Sequence, residues 1–136
     1  MRAPSIQLVG SLVAEILRDF PRISLAILFG SMATGRADAE SDFDIAVAAA
    51  KPLTVDEKMM LVERLAVQFG RPVDLVDLKQ VSEPLLGQIL RHGRKVAGSE
   101  RHYAELLTRH LFEQADFMPY RTRILEERRQ AWIKKS

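Results

Sequence analysis

Cysteine is absent from this 136-residue chain. That excludes disulfides and thiolate metal sites, and it fits a reducing, cytoplasmic setting. Aromatic residues are scarce at 7%, with one Trp and two Tyr, and they do not interleave with basic residues as base-stacking surfaces require. The net charge of +2 is small for a nucleic-acid binder, so nucleic acid is not expected as a direct ligand. No apolar run reaches the roughly 18 residues that a transmembrane helix requires. The opening Met1-Arg2-Ala3-Pro4 lacks the long uncharged core of a secretory signal. His92, His102 and His110 show no ligand spacing, so zinc is not expected. What remains is 47% hydrophobic and 28% charged, the balance of a globular domain with a real core.

The hydrophobic pattern alternates between two periods. Val9, Leu12, Val13, Ile16, Leu17 and Phe20 form a helical stripe over Ser5 to Phe20, ended by Pro21. Ile23 to Phe29 is apolar and β-prone, a buried strand. A polar stretch, Arg36 to Ser41, leads into a strand over Asp42 to Ala48. Thr54 and Glu57 make a capping box for a helix through Gln68, which Gly70 terminates. Val73 to Leu78 is a further strand, Ser82 caps a helix from Glu83 to His92, and Lys95 to Ala97 is a short last strand. Helices interleaved with strands predict an α/β (α+β) domain with a small mixed sheet and flanking helices.

The chemistry concentrates between residues 30 and 44. Gly30-Ser31 closes the first strand, and ten residues separate Ser31 from Asp42-Phe43-Asp44. Residues i and i+2 of a strand share a face. Asp42 and Asp44 therefore project together, and like charges so close raise each other's pKa unless a cation lies between them. Asp74, between Val73 and Leu75 in the middle of another strand, would add a third carboxylate, completing a site for Mg²⁺ with its oxygen ligands; Asp77, close to Lys79 and the strand end, is expected within reach of water and outside the site. Two such ions can clamp the attacking and leaving oxygens of an in-line displacement at phosphorus. A helix opening after the Gly-Ser turn would offer free N–H groups, and Ser31 a hydroxyl, to an anion.

A competing phosphate motif fails. Gly30 to Gly35 fits the first half of a P-loop, but Arg36 and Ala37 stand where that loop needs Lys and a metal-binding Ser or Thr.

Gly-Ser, a ten-residue gap, Asp-x-Asp and a later strand aspartate resemble the polymerase-β-like nucleotidyltransferases. In size the chain is similar to the minimal nucleotidyltransferases (MNT), including the antitoxins of HEPN–MNT toxin–antitoxin pairs. The resemblance spans roughly residues 5 to 98, which sets out a nucleotidyltransferase domain over 1–98 and a C-terminal helical extension over 99–136. It implies that Gly30 and Ser31 hold the triphosphate of ATP. Asp42 and Asp44 would bind two Mg²⁺ ions, and Asp74 would be the third ligand and the base toward the attacking hydroxyl. The chain departs from many members at Thr34, where they carry arginine; Arg36 follows two positions on, and which side chain assists the phosphates stays open. The implied reaction moves AMP from ATP to a hydroxyl on a partner HEPN ribonuclease toxin. Two alternatives accompany it: a catalytically silent antitoxin acting by steric binding, and a small-molecule nucleotidyltransferase.

Beyond Ser99, Tyr103, Leu106, Leu107, His110 and Leu111 fit one helical face, and Pro119 interrupts before a second basic helix. Phe117, Met118, Tyr120 and Trp132 are large groups to leave outside a small core. They read either as a docking surface or as packing against the sheet.

Overall fold

Residues 5–38 and 40–113 are described by a computed structural model of the chain. Helix α1 (Ile6–Leu17) begins at Ser5, whose hydroxyl accepts from the Leu8 N–H at 3.2 Å, and it buries Val9, Val13 and Ile16. It ends at Leu17, short of the expected Phe20. The next N–H groups make tighter turn bonds, Asp19 to the Ile16 carbonyl and Phe20 to that of Leu17, so Pro21 acts only after the helix has closed.

Strand β1 (Ile23–Phe29) runs into the single-turn helix α2 (Ser31–Thr34). Strand β2 (Phe43–Ala49) starts one residue later than expected, leaving Asp42 just outside the strand. Helix α3 (Val55–Phe69) has both halves of its Thr54–Glu57 capping box, and Gly70 closes it in the left-handed conformation at φ 63°. Strand β3 (Val73–Asp77) follows. Helix α4 (Leu85–His92) starts two residues after the expected Glu83, and the Ser82 side chain does not cap it. Pro84 is the reason: it lacks an N–H and pushes the preceding residue out of the helical region. Strand β4 (Arg94–Gly98) is longer than the expected three residues.

The four strands form one mixed sheet in the order β3-β2-β1-β4. β1 is antiparallel to β2 and to β4, whereas β2 and β3 are parallel. Alternation divides the sheet residues between two faces. Ala26, Leu28, Phe43, Ile45 and Val47 join the core made with Val9, Val13 and Ile16 of α1 and with Leu61 and Leu65 of α3. Phe43 is fully buried there and stacks on Phe69, with centroids 4.3 Å apart. Asp44 and Asp74 lie on the opposite face.

The chain divides into two compact units, residues 1–103 and 104–136. Residues 100–113 are helical. Of the expected stripe, Leu106 and His110 are buried, and Tyr103 is half-buried with its hydroxyl donating to the Leu90 carbonyl at 3.0 Å. Leu107 and Leu111 are exposed. The expected second helix, with Phe117, Met118, Tyr120 and Trp132, lies outside the described residues.

Candidate active site

The motif residues collect at one end of the sheet because three strands are in register there. Phe29, the last residue of β1, pairs with Asp44, and Asp44 pairs with Asp74 across the parallel β2–β3 ladder. Paired residues on neighbouring strands share a face, and the strands lie roughly 5 Å apart. Asp42, two residues before Asp44, completes the group. Asp44 is half-buried, while Asp42 and Asp74 are exposed.

The electrostatics follow from that placement. The Asp44 carboxyl is held above the ordinary carboxylate range, first by desolvation, then by the negative charges of Asp74 and Asp42. This is the state that a bound cation relieves. Among the described residues, no three His, Cys, Asp or Glu side chains are drawn together tightly enough to form a ready metal-ligand set. Asp44 feels the other two carboxylates, yet the three do not converge on one point.

Gly30 supplies the opposite wall. Its backbone sits at φ 70°, ψ −152°, a region only glycine enters readily. A Cβ placed there would fall 2.2 Å from Oδ2 of Asp44, so the missing side chain is what lets the carboxylate pack against the turn. The oxygen donors of Asp42, Asp44 and Asp74 are of the hard type that fits Mg²⁺.

After Gly30 the chain makes one helical turn. The Ala33 N–H donates to the Gly30 carbonyl, and Gly35, left-handed at φ 74°, ends the turn by donating to the Ser31 carbonyl. The expected helix is present but only four residues long. What it could offer an anion is therefore limited to first-turn N–H groups and the half-buried Ser31 hydroxyl, not a long helix dipole. The Thr34 hydroxyl turns back to the Ser31 carbonyl at 3.3 Å, and Arg36 is exposed just beyond.

Asp77 is the reverse of the sequence expectation. It was expected near the strand end within reach of water, with Asp74 enclosed by apolar neighbours. Instead Asp77 is buried, and its carboxylate accepts from the N–H groups of Leu53 at 2.8 Å and Lys79 at 2.9 Å. Asp74 is exposed on the edge strand β3. The inversion arises because three residues along a strand change face, and the Asp77 face lies beneath the β2–α3 loop.

Arg71 had no signal in the sequence. Its Nη1 donates to the carbonyl of Ser41, at 3.1 Å, and to that of Asp38. Both belong to the loop that delivers Asp42. Only the fold shows that an arginine before β3 reaches the loop before β2.

Residues 12–102 match the family described as Polymerase beta, Nucleotidyltransferase. The chain belongs to that nucleotidyltransferase family. Among similar proteins is the protein adenylyltransferase MntA of Shewanella oneidensis, 36% identical over 96 residues, covering 70% of this chain and 69% of the relative. A crystal structure of a toxin-antitoxin with AMP-PNP aligns at a TM-score of 0.74 and 29% identity, covering 87% of this chain and 96% of the other. A second, tri-AMPylated Shewanella oneidensis HEPN toxin in complex with MNT antitoxin, aligns at 0.64 and 28% identity, covering 89% and 99%. The matched span of this nucleotidyltransferase contains Gly30, Ser31, Asp42, Asp44 and Asp74. Among the described residues no helix is long and apolar enough to cross a membrane.

Proposed function

We propose that this nucleotidyltransferase transfers AMP from ATP to a hydroxyl of a partner HEPN-type toxin, acting as a cytoplasmic antitoxin, with Mg²⁺ held by Asp42, Asp44 and Asp74. The observation that carries this is the register of Phe29, Asp44 and Asp74 across three strands. It brings the glycine turn and the carboxylates to one end of the sheet. The family supplies the reaction class, and the MntA relative, a protein adenylyltransferase, points to a protein acceptor.

In this reading the triphosphate lies over the Gly30-Ser31 turn, with the first-turn N–H groups and the Ser31 hydroxyl on its oxygens and Arg36 at its outer side. Bound Mg²⁺ would supply charge neutralisation at the phosphates. The acceptor hydroxyl attacks the α-phosphorus, the bond to the β-phosphate oxygen breaks, and pyrophosphate leaves. Asp74, exposed at the sheet edge, faces the arriving hydroxyl and takes its proton. Asp42 and Asp44 fix the nucleotide side. Positioning and charge compensation carry the rate, as is usual for transfers at phosphorus.

Intact-mass spectrometry of a co-expressed HEPN partner tests the reading. The expected result is a ladder of one or more adenylyl additions with the wild-type protein and Mg·ATP. An unmodified partner that is nevertheless inhibited would overturn it in favour of steric binding.

A further inference from the structure

The geometry points to Arg71 as a positioning residue that holds Asp42 in place through the backbone. Asp42 is the one site carboxylate outside the sheet ladders, since β2 begins at Phe43 and the described pairing starts there. Something other than strand pairing must fix it. The chain on either side of Asp42 is tied to the same dipeptide, Arg71-Pro72. Before it, the Ser41 carbonyl accepts from Arg71 Nη1 at 3.1 Å; after it, the Phe43 N–H donates to the Pro72 carbonyl at 2.8 Å. Asp42 is thus bracketed by two hydrogen bonds from the segment that leads into β3, the strand carrying Asp74.

Arg71 also reaches the Asp38 carbonyl, and the loop between is internally braced. The Asp38 N–H donates to the Ser41 hydroxyl at 2.9 Å, the Ser41 hydroxyl donates to Asp38 Oδ1 at 3.2 Å, and the Glu40 N–H donates to the same oxygen at 2.9 Å. One guanidinium nitrogen therefore gathers a preformed turn and pins its two carbonyls. A lysine at this position would present a freely rotating ammonium in place of a rigid planar guanidinium. Among the described residues Arg71 makes no hydrogen bond to Asp42, Asp44 or Asp74; its effect passes through the Ser41–Asp42 peptide.

This inference rests on Asp42 being a metal ligand, and the test separates the two. Manganese binding is measured by titration calorimetry in the presence of a non-hydrolysable ATP analogue. The proteins are wild type, Arg71→Ala, Arg71→Lys, Asp42→Asn and the Arg71→Ala/Asp42→Asn double variant, and each is also melted without ligand. Arg71→Ala should bind Mn²⁺ about tenfold or more weakly, the usual loss when a group that orients a ligand is removed. Arg71→Lys should recover part of the affinity. The double variant should bind no more weakly than Asp42→Asn alone, because both changes act through one ligand. In turnover, kcat should fall more than the KM for ATP rises.

Wild-type Mn²⁺ affinity in Asp42→Asn would defeat the reading of the site itself. Weakened binding in Asp42→Asn with wild-type affinity in Arg71→Ala, or losses that add in the double variant, would overturn the positioning role alone. Should Arg71→Ala fail to fold, Arg71→Lys decides. Weaker Mn²⁺ binding at an unchanged melting temperature upholds the inference, and unchanged binding overturns it.

Discussion

The absent side chain of Gly30 and the carboxylate of Asp44 occupy adjoining space: a Cβ on Gly30 would meet Asp44 Oδ2 at 2.2 Å. Two halves of the sequence motif, fourteen positions apart, are thereby one object. Gly30→Ala should destabilise the protein by about 1–3 kcal/mol from backbone strain alone, and it should also displace the carboxylate. Urea unfolding of Gly30→Ala and of Gly30→Ala/Asp44→Ala checks this. The double variant should regain the part of the loss that comes from the clash and retain the part that comes from strain.

Asp44 itself makes the ligand-free protein less stable. Its carboxyl is raised above 3.8 in the folded state by burial and by Asp74 and Asp42, so as pH rises past 3.8 the native state at first holds more protons than the unfolded one. Stability falls as pH rises through that window, and the full penalty stands at neutral pH. Without ligand, Asp44→Asn should melt at the same or a higher temperature than wild type at pH 7. The difference should vanish well below pH 3.8. The variant should also lose the stabilisation that Mg·ATP gives by binding the native state, as thermal melts with and without nucleotide would show.

Glu57 works in the opposite direction. Its pKa is depressed from 4.5 to about 2, first by the Arg22 side chain and then by the Thr54 N–H. Its contribution is present above pH 4.5 and is lost as pH falls toward 2. Arg22 also donates to the Pro52 carbonyl at 3.1 Å, tying the start of β1 to the start of α3. Arg22→Gln should therefore be less stable than wild type at neutral pH, with the gap narrowing through the acid limb of a pH–urea series.

Asp74 and Asp77 should separate cleanly. Asp77→Asn weakens a buried acceptor of two backbone N–H groups, and a loss of roughly 1–3 kcal/mol is expected, with AMP transfer per folded molecule unchanged. Asp74→Asn should stay within about 0.5 kcal/mol of wild type and lose transfer. Chemical denaturation paired with transfer assays decides it. Equal loss of activity at both positions would contradict the face assignment.

Local signals carried most of the fold. The Ile23–Phe29 strand, the Thr54–Glu57 capping box and the Gly70 terminator all appear where the residues indicated, because each depends on neighbours in sequence. Errors arose where distant partners decide. Asp77 looked solvent-facing because nothing local reveals that the Leu53 N–H needs an acceptor. Arg71 gives no local signal because its partners lie some thirty residues earlier. The start of α4 was misplaced by weighing Ser82 as a cap above the restriction that Pro84 imposes. At the site, the spacing of Gly30, Asp42 and Asp44 was legible in the chain, and the alignment of Asp74 with Asp44 required the parallel β2–β3 register.

The proposed reaction moves the α-phosphate of ATP, with its nucleoside, onto a partner protein. ATP labelled at the α-phosphate, and separately at the γ-phosphate, is incubated with Mg²⁺, the protein and its HEPN partner. The α-label should become covalently attached to the partner, the γ-label should leave in pyrophosphate, and Asp42→Asn and Asp44→Asn should transfer neither. A γ-label on the partner, or full α-label transfer by either variant, would contradict it.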